Sequence, residues 1–359
     1  MTTVVVGGGA VGTFLGVTLA STGEDVVLVR RGAPPGLRPA SITVKGPGPI
    51  SRTADVAVAD TPAAVTSTPD LVILAVKMPD LVGAIETASA WPDVPVLAVG
   101  NGVGADEVLR DARTGRILAG SLTTAIELDR ATGTVQRRSR GGIGLAVVRA
   151  GDDGAAALPA DRALDALAET FGAGSLRARR LGNAVAMRWS KLLANLLGNA
   201  TCAILDMEPA AVYRDPRLFD VERRQLREAL AVMVGLHIGP VALPGADVRP
   251  LALAARMPAA LVRPVMLRMI GGGRGGKSPS LQLHLQAGSG PSEVDWLNGA
   301  VARAARRIGR RAPINDRLAE LVEECRREPD RRTWFRGRPD RLIDELRGGD
   351  EHRSATRSG

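Results

Sequence analysis

At 359 residues the chain is long enough for two domains of ordinary size, and 45% hydrophobic residues supply ample core material. A formal net charge of +9 raises nucleic-acid binding, but the arginines are spread along the chain and aromatics, on which bases stack, are only 3% of it. The positive surface is instead read as a solvated arginine-rich face that also suits an anionic cofactor and substrate, with no nucleic-acid or membrane partner expected.

Cys202 and Cys325 stand in no metal-like spacing, so no metal site is expected, and they are compatible with a reducing compartment. The start, MTTVVVGGG, lacks a basic leader, and the apolar run from Ala229 to Leu243 is too short to span a bilayer. A soluble, cytoplasmic protein is expected, with monomer and homodimer equally open.

The first half alternates short apolar strands with helical stretches. Val4–Gly7 (VVVG) reads as a strand, 11–22 as a helix and Asp25–Arg31 (DVVLVRR) as a second strand. Leu71–Lys77 (LVILAVK) and Val94–Gly100 (VPVLAVG) are continuous apolar runs, as in strands buried on both faces of a parallel sheet. ILAGSLTTAIEL and GTVQRRSRGGIGLAVV read as later strands, the second stretch suited to antiparallel pairing. Beyond about residue 155 strand signals almost vanish, and helices are predicted over 160–172, 183–206, 217–236, 250–270, 292–309 and 314–327. The expected architecture is α/β, a Rossmann-type doubly wound N-terminal domain followed by an all-α C-terminal domain. The boundaries read as 1–182 for the dinucleotide-binding domain, 183–328 for the helical substrate domain, and 329–359 for a basic C-terminal extension. Within that extension WFRGRPDRLIDEL suits one amphipathic helix, with disorder expected from about Gly348. The loop Gly271–Ser280 (GGGRGGKSPS) is glycine-rich enough to move.

Gly7, Gly8, Gly9, Ala10, Val11 and Gly12 form a G-x-G-x-x-G turn between strand and helix. Gly7 permits the tight turn, Gly9 lets backbone approach a pyrophosphate, and Gly12 lets helix pack on strand. The second strand ends in Arg30 and Arg31, where an NAD site carries an acid for the ribose 2′-hydroxyl, so a 2′-phosphate and hence NADP(H) is favoured over NAD. Lys77 and the pair Asn101-Gly102 end later strands, at the mouth where such sheets bind ligands. Read from residues alone, Asn101-Gly102 is a simple turn.

The chain has four lysines, Lys45, Lys77, Lys191 and Lys277, among many arginines. Arginine does not give up a proton near neutral pH, whereas a desolvated lysine does. Lys191 sits in WSKLLANLLGNATCAIL, and on a continuous helix it would share one stripe with Asn195 and Asn199. Exposed stripes elsewhere are made of Arg, Asp and Glu, so an amine with two amides suits a pocket for a small polar anion. Farther on, SEVDWLNGAV opens a predicted helix, with Ser292 as N-cap and Asp295 completing a capping box. Glu293 there is accounted for by the helix dipole alone.

Together these elements resemble ketopantoate reductase (2-dehydropantoate 2-reductase): G-x-G-x-x-G, strand-end lysine, Asn-Gly, K-x-x-x-N-x-x-x-N, P-S-L, then S-E-V-D-W-L-N-G. The resemblance covers about residues 1–328. It implies NADPH-dependent reduction of 2-dehydropantoate to pantoate, toward pantothenate and coenzyme A, in a cleft between a Rossmann domain and a helical domain. It makes Lys191 the general acid and gives Glu293 a contact with cofactor and lysine. It assigns Asn195, Asn199 and Ser280 to the substrate, Asn101 to a place between cofactor and substrate, Arg31 and Lys77 to NADPH phosphate or ribose, and the backbone near Ile126 to the nicotinamide. The chain departs from the pattern at Gly100, where Gln is usual, at Ala200, where Pro is common, and at His284, where an acid is usual. Another 2-oxo acid as substrate, or a non-catalytic NADP(H) sensor, are the competing readings; a sensor has no need of a proton donor.

Overall fold

The structure, a computed structural model, describes every residue except 48–50, 113–114, 130–131, 149–156, 274–278, 289 and 356–359. The chain falls into two compact units, Met1–Lys191 with Val241–Asp247, and Leu192–Pro240 with Val248–Gly359. The division comes inside a helix, after Lys191, rather than at the 182/183 boundary read from the sequence.

The first unit runs β1 (Thr2–Val6), α1 (Ala10–Ala20), β2 (Asp25–Val29), β3 (Leu37–Lys45), β4 (Ser51–Ala59), β5 (Leu71–Leu74), α2 (Leu81–Ala88), β6 (Val96–Ala98), α3 (Ala105–Ala112), β7 (Ile117–Leu122), β8 (Ile126–Leu128), β9 (Val135–Arg137), β10 (Gly142–Val147), α4 (Ala157–Ala173), β11 (Arg177–Arg180) and the start of α5 (Ala184–Leu196). Its sheet has the order β11-β10-β7-β6-β5-β1-β2-β4-β3-β9-β8. The central strands from β7 through β5, β1 and β2 to β4 are parallel, while β10 pairs antiparallel with β7, and β8 with β9. Chain order therefore reverses beside β1, with β2 on one side and β5 on the other, the switch point where open α/β sheets bind ligands.

Val4, Val5, Val72, Ile73, Val96 and Leu97 are fully buried, which explains why these strands are continuous in Val, Ile and Leu. Phe14, Leu15, Val17 and Leu19 of α1 pack into the same cluster as Val26, Leu28 and Ile73. Full burial of one such side chain is worth about 2 kcal/mol, so α1 is held by its apolar face. That places its amino end at the glycine turn.

The second unit runs α6 (Asn199–Leu205), α7 (Pro209–Arg214), α8 (Pro216–Gly235), α9 (Arg249–Arg256), α10 (Ala259–Gly273), α11 (Ser280–Ala287), α12 (Asn298–Arg307), α13 (Pro313–Arg327), α14 (Pro329–Phe335) and α15 (Pro339–Ala355). Proline opens α7, α8, α13, α14 and α15, a position where its missing N–H costs nothing. Between α8 and α9 the hairpin β12 (Ala242–Leu243) and β13 (Ala246–Asp247) belongs to the first unit, where Thr123 Oγ1 donates to the carbonyl of Pro244.

Several expectations are corrected. The helix predicted over 183–206 is two helices, α5 and α6, because Leu197–Gly198 forms a turn with Gly198 left-handed (φ 62°). Asn199 thus starts a new helix and does not extend the Lys191–Asn195 stripe. The helix predicted over 292–309 begins as a 3-10 turn, Glu293–Trp296, and only then becomes α12. Ser292 does cap it, but its Oγ accepts from the Val294 N–H at 3.0 Å rather than from Asp295. The stretch 250–270 divides into α9 and α10 at Pro258. The single helix expected after Trp334 is interrupted by Gly337 (φ 64°), and α15 follows from Pro339 to Ala355. Of the glycine-rich loop, Gly271–Gly273 close α10, and 274–278, with Lys277, lie outside the described residues. Among the described residues no helix is long and apolar enough to cross a membrane, and no His, Cys, Asp and Glu group is placed to hold a metal.

Candidate active site

The glycine turn in the first unit is built for close approach. Gly7 has φ 116°, and a Cβ there would lie 2.7 Å from the Ala75 carbonyl oxygen. A Cβ on Gly12 would lie 1.8 Å from the Gly7 carbonyl oxygen, so α1 packs against the turn only because position 12 lacks a side chain. Gly9 is different: it is exposed, and a Cβ there would meet nothing within 4 Å. A tight turn, a closely packed helix start and an open backbone edge between them fit a dinucleotide pyrophosphate at the amino end of α1. Ala10 and Val11 form the first helical turn, both half-buried.

The other first-unit residues picked out in the sequence lie at carboxyl ends of neighbouring strands. Arg30 and Arg31 follow β2, and the stem of Arg30 lies over Gly8, where a Cβ would come within 2.4 Å of it. Arg31 is 87% exposed, with its Nη2 2.8 Å from Asp80 Oδ1. An exposed pair of this kind is worth at most about 1 kcal/mol, so Arg31 can exchange Asp80 for another anion. Lys77 follows β5 and is exposed at the head of a 3-10 turn. Asn101 is exposed in the turn after β6, where Gly102 has φ 91°. Ile126 opens β8 and packs, with Val11, on the main core cluster.

Lys191 is half-buried on α5, and α5 is fastened to the same end of the sheet by a neighbour. The Arg188 guanidinium is 3% exposed. It donates to Asp106 Oδ1 at 2.8 Å and Oδ2 at 3.2 Å, and to the carbonyls of Ala98, Gly100 and Gly120 at 3.0 Å each. Those carbonyls belong to β6, to the residue before Asn101, and to β7. One planar fork thus ties α5, less than a turn before Lys191, to the strand end that carries Asn101.

In the second unit Asn199 is 5% exposed and joins α6 to α11. Its Nδ2 lies 3.4 Å from Ser280 Oγ, and its Oδ1 accepts from the Leu281 N–H at 3.0 Å. Asn195 is half-buried one turn after Lys191, and Glu293 is half-buried at the start of the 3-10 turn. The segment following Glu293 is pinned by Asn298, whose Nδ2 donates to Gln225 Oε1 at 2.9 Å and Asn315 Oδ1 at 3.0 Å. The structure therefore groups Gly7–Gly12, Arg31, Lys77 and Asn101 at one sheet end, joins Asn199 to Ser280, and keeps Lys191 and Asn195 on one helix. A depression of about 200 Å³ at the amino end of α5, lined by Val103, Glu107, Asn183 and Arg188 among others, contains none of these residues.

Two models of one family match the two halves of the chain. The N-terminal ketopantoate reductase PanE/ApbA model matches residues 3–149, and the C-terminal model matches 183–326. The chain belongs to the ketopantoate reductase family. A 2-dehydropantoate 2-reductase of Pyrococcus horikoshii is 24% identical over 323 residues, 89% of this chain and 95% of that protein. The crystal structure of a PanE/ApbA family ketopantoate reductase from Ralstonia eutropha JMP134 matches with a TM-score of 0.72 at 23% identity, covering 93% of this chain and 100% of that one. D-mandelate dehydrogenase with NADH and anilino(oxo)acetate matches with a TM-score of 0.70 at 21% identity, covering 91% and 99%.

Three buried or half-buried polar residues that anchor these elements were not singled out from the sequence. Arg188 lies directly before the apolar stretch that contains Lys191, and a charge between Met187 and Trp189 is the signal that marks it. Glu222 is fully buried and accepts from the Gly198 N–H at 2.6 Å, Thr201 Oγ1 at 2.6 Å and Tyr213 Oη at 2.9 Å, which fixes the break before Asn199. Glu228 accepts from the N–H groups of Ile314 and Asn315, and burial pushes its carboxyl above the ordinary range. Both glutamates sat in an ordinary-looking amphipathic helix, where charge alone carries no signal.

Proposed function

We propose that the chain reduces a 2-oxo acid with NADPH, and that 2-dehydropantoate, giving pantoate for pantothenate and coenzyme A synthesis, is its substrate. The observation that carries the reading is Lys191 on a helix anchored by Arg188 to the strand end bearing Asn101, in a chain matched in both halves by the ketopantoate reductase models. When bound, the dinucleotide supplies a hydride to the ketone carbon. Lys191 Nζ hydrogen-bonds the ketone oxygen, offsets the negative charge that grows there and hands it a proton. Asn195, Asn199 and Ser280 hold the substrate's hydroxyl and carboxylate, Asn101 lines the contact between substrate and cofactor, and Glu293 steadies the ammonium group. Gly7, Gly8, Gly9, Ala10, Val11 and Gly12 take the pyrophosphate, Arg31 the 2′-phosphate, Lys77 phosphate or ribose, and the backbone at Ile126 the nicotinamide.

Ala200 and His284, which replace family-typical residues next to Asn199 and downstream of Ser280, favour one second reading, the same chemistry on a different 2-oxo acid. Purified protein mixed with NADPH and a panel of 2-oxo acids decides, followed by loss of the reduced nicotinamide absorbance. Rapid oxidation with 2-dehydropantoate supports the proposal. Oxidation with other oxo acids alone supports the second reading, and tight NADPH binding without turnover on the whole panel overturns both.

A further inference from the structure

The family model ends at residue 326, yet α14 packs against α6, the helix that begins with Asn199, and reaches α11, the helix that begins with Ser280, through an arginine. Phe335 is fully buried, as is Leu342 of α15. The Gly337 N–H donates to the Leu205 carbonyl at 2.8 Å, closing the last turn of α6. Arg332 Nη1 donates to the Leu285 carbonyl at 2.8 Å, in the last turn of α11.

These two contacts meet at Asp206. It follows α6 in a left-handed conformation (φ 49°) and its side chain is 10% exposed. Its Oδ1 accepts from Gln282 at 3.2 Å and Gln286 at 2.9 Å, both on α11. Its Oδ2 faces Arg336 Nε at 3.2 Å and Arg332 Nη2 at 3.8 Å. Helices α6 and α11 are thus joined twice, at their amino ends by Asn199 with Ser280 and Leu281, and at their carboxyl ends by Asp206. Two arginines sit where the helix dipoles favour cations.

We propose that α14 and the turn through Gly337 form a clasp, and that Arg332 and Asp206 are positioning residues which hold α6 and α11 in register so that the Asn199 amide and Ser280 hydroxyl present one binding surface to the oxo acid. The assignment rests on the function proposed above, but the clasp itself is testable without it. Arg332 touches neither residue of that surface; it acts through Asp206 and the Leu285 carbonyl. Lysine in its place can face Asp206 but cannot also reach Leu285 with a rigid fork.

The test uses full-length protein as wild type, Arg332→Ala and Arg332→Lys. Steady-state kinetics with NADPH and 2-dehydropantoate should show KM for the oxo acid raised about tenfold in Arg332→Ala, with kcat and the NADPH dissociation constant unchanged, and a smaller rise in Arg332→Lys. Amide hydrogen exchange, read without substrate, should quicken across 199–206 and 280–287 in Arg332→Ala. Exchange confined to 329–346, with these helices unaffected, overturns the clasp whatever the kinetics. Faster exchange in both helices with KM unchanged keeps the clasp but overturns its role in positioning. Wild type without turnover on any oxo acid overturns the proposed function, while the exchange still decides whether α14 holds α6 to α11.

Discussion

Replacing Arg188 by methionine keeps most of the side-chain volume and removes the guanidinium. The Asp106 carboxylate, 11% exposed, is then left without its bidentate partner, and the carbonyls of Ala98, Gly100 and Gly120 each lose a donor. Breaking a buried ion pair by removing one partner costs about 3–5 kcal/mol, and the orphaned carbonyls place Arg188→Met toward the upper end of that range. The kinetic effect has a separate cause. Lys191 follows the lost anchor by three positions on α5, and a misplacement of about 1 Å at a reacting group can cost about 100-fold in rate. Removing the carboxylate as well, in Arg188→Met/Asp106→Leu, should recover much of the stability, because replacing both members of a buried pair by apolar groups is close to neutral. Denaturant midpoints for both single variants and the double variant give the coupling, and kcat on 2-dehydropantoate gives the positional effect. A loss below about 1 kcal/mol in Arg188→Met with unchanged kcat would refute the reasoning.

Gly12→Ala puts a methyl group against the Gly7 carbonyl oxygen and should lower NADPH affinity at least about tenfold by fluorescence titration; unchanged binding would mean the turn is not the pyrophosphate cradle. Arg31→Ala should weaken NADPH about tenfold more than NADH, since only the 2′-phosphate loses a partner, and equal weakening of both would undo the NADP assignment. Burial opposes charge on Asp206, but hydrogen bonds from Gln286 and Gln282 and the charges of Arg332 and Arg336 outweigh it and hold its carboxyl below the ordinary value of 3.8. Its contribution to stability is therefore present above that value and lost as pH falls through the lowered one. The midpoint difference between wild type and Asp206→Asn should be full near neutral pH and shrink below about pH 4. A difference independent of pH would contradict the assignment.

The Rossmann half was legible because its signals are local. Val4–Val6, Leu71–Leu74 and Val96–Ala98 are runs of apolar residues buried on every side, and the glycine turn sits directly between strand and helix. The long hairpin β3–β4 was not legible. Its residues alternate polar and half-buried, and Leu37–Lys45 is largely exposed, so no hydrophobic run marks it. The break at Gly198 was hidden for another reason. A single glycine in a helical pattern is tolerated, and what makes it a left-handed turn is Glu222, more than twenty residues away, accepting its N–H. The lysine and amides were identifiable because they interrupt an apolar stretch. Arg188 and Glu222 act through tertiary partners that no spacing rule names.

Proton transfer from Lys191 to the ketone oxygen is the central step of the proposed reaction, and Lys191→Arg isolates that act. Arginine keeps a positive charge at the position but does not release a proton near neutral pH. With NADPH binding measured separately and found intact, turnover of 2-dehydropantoate by Lys191→Arg should fall by about 100-fold or more. Turnover within a few-fold of wild type would mean that charge alone suffices there and that another group supplies the proton.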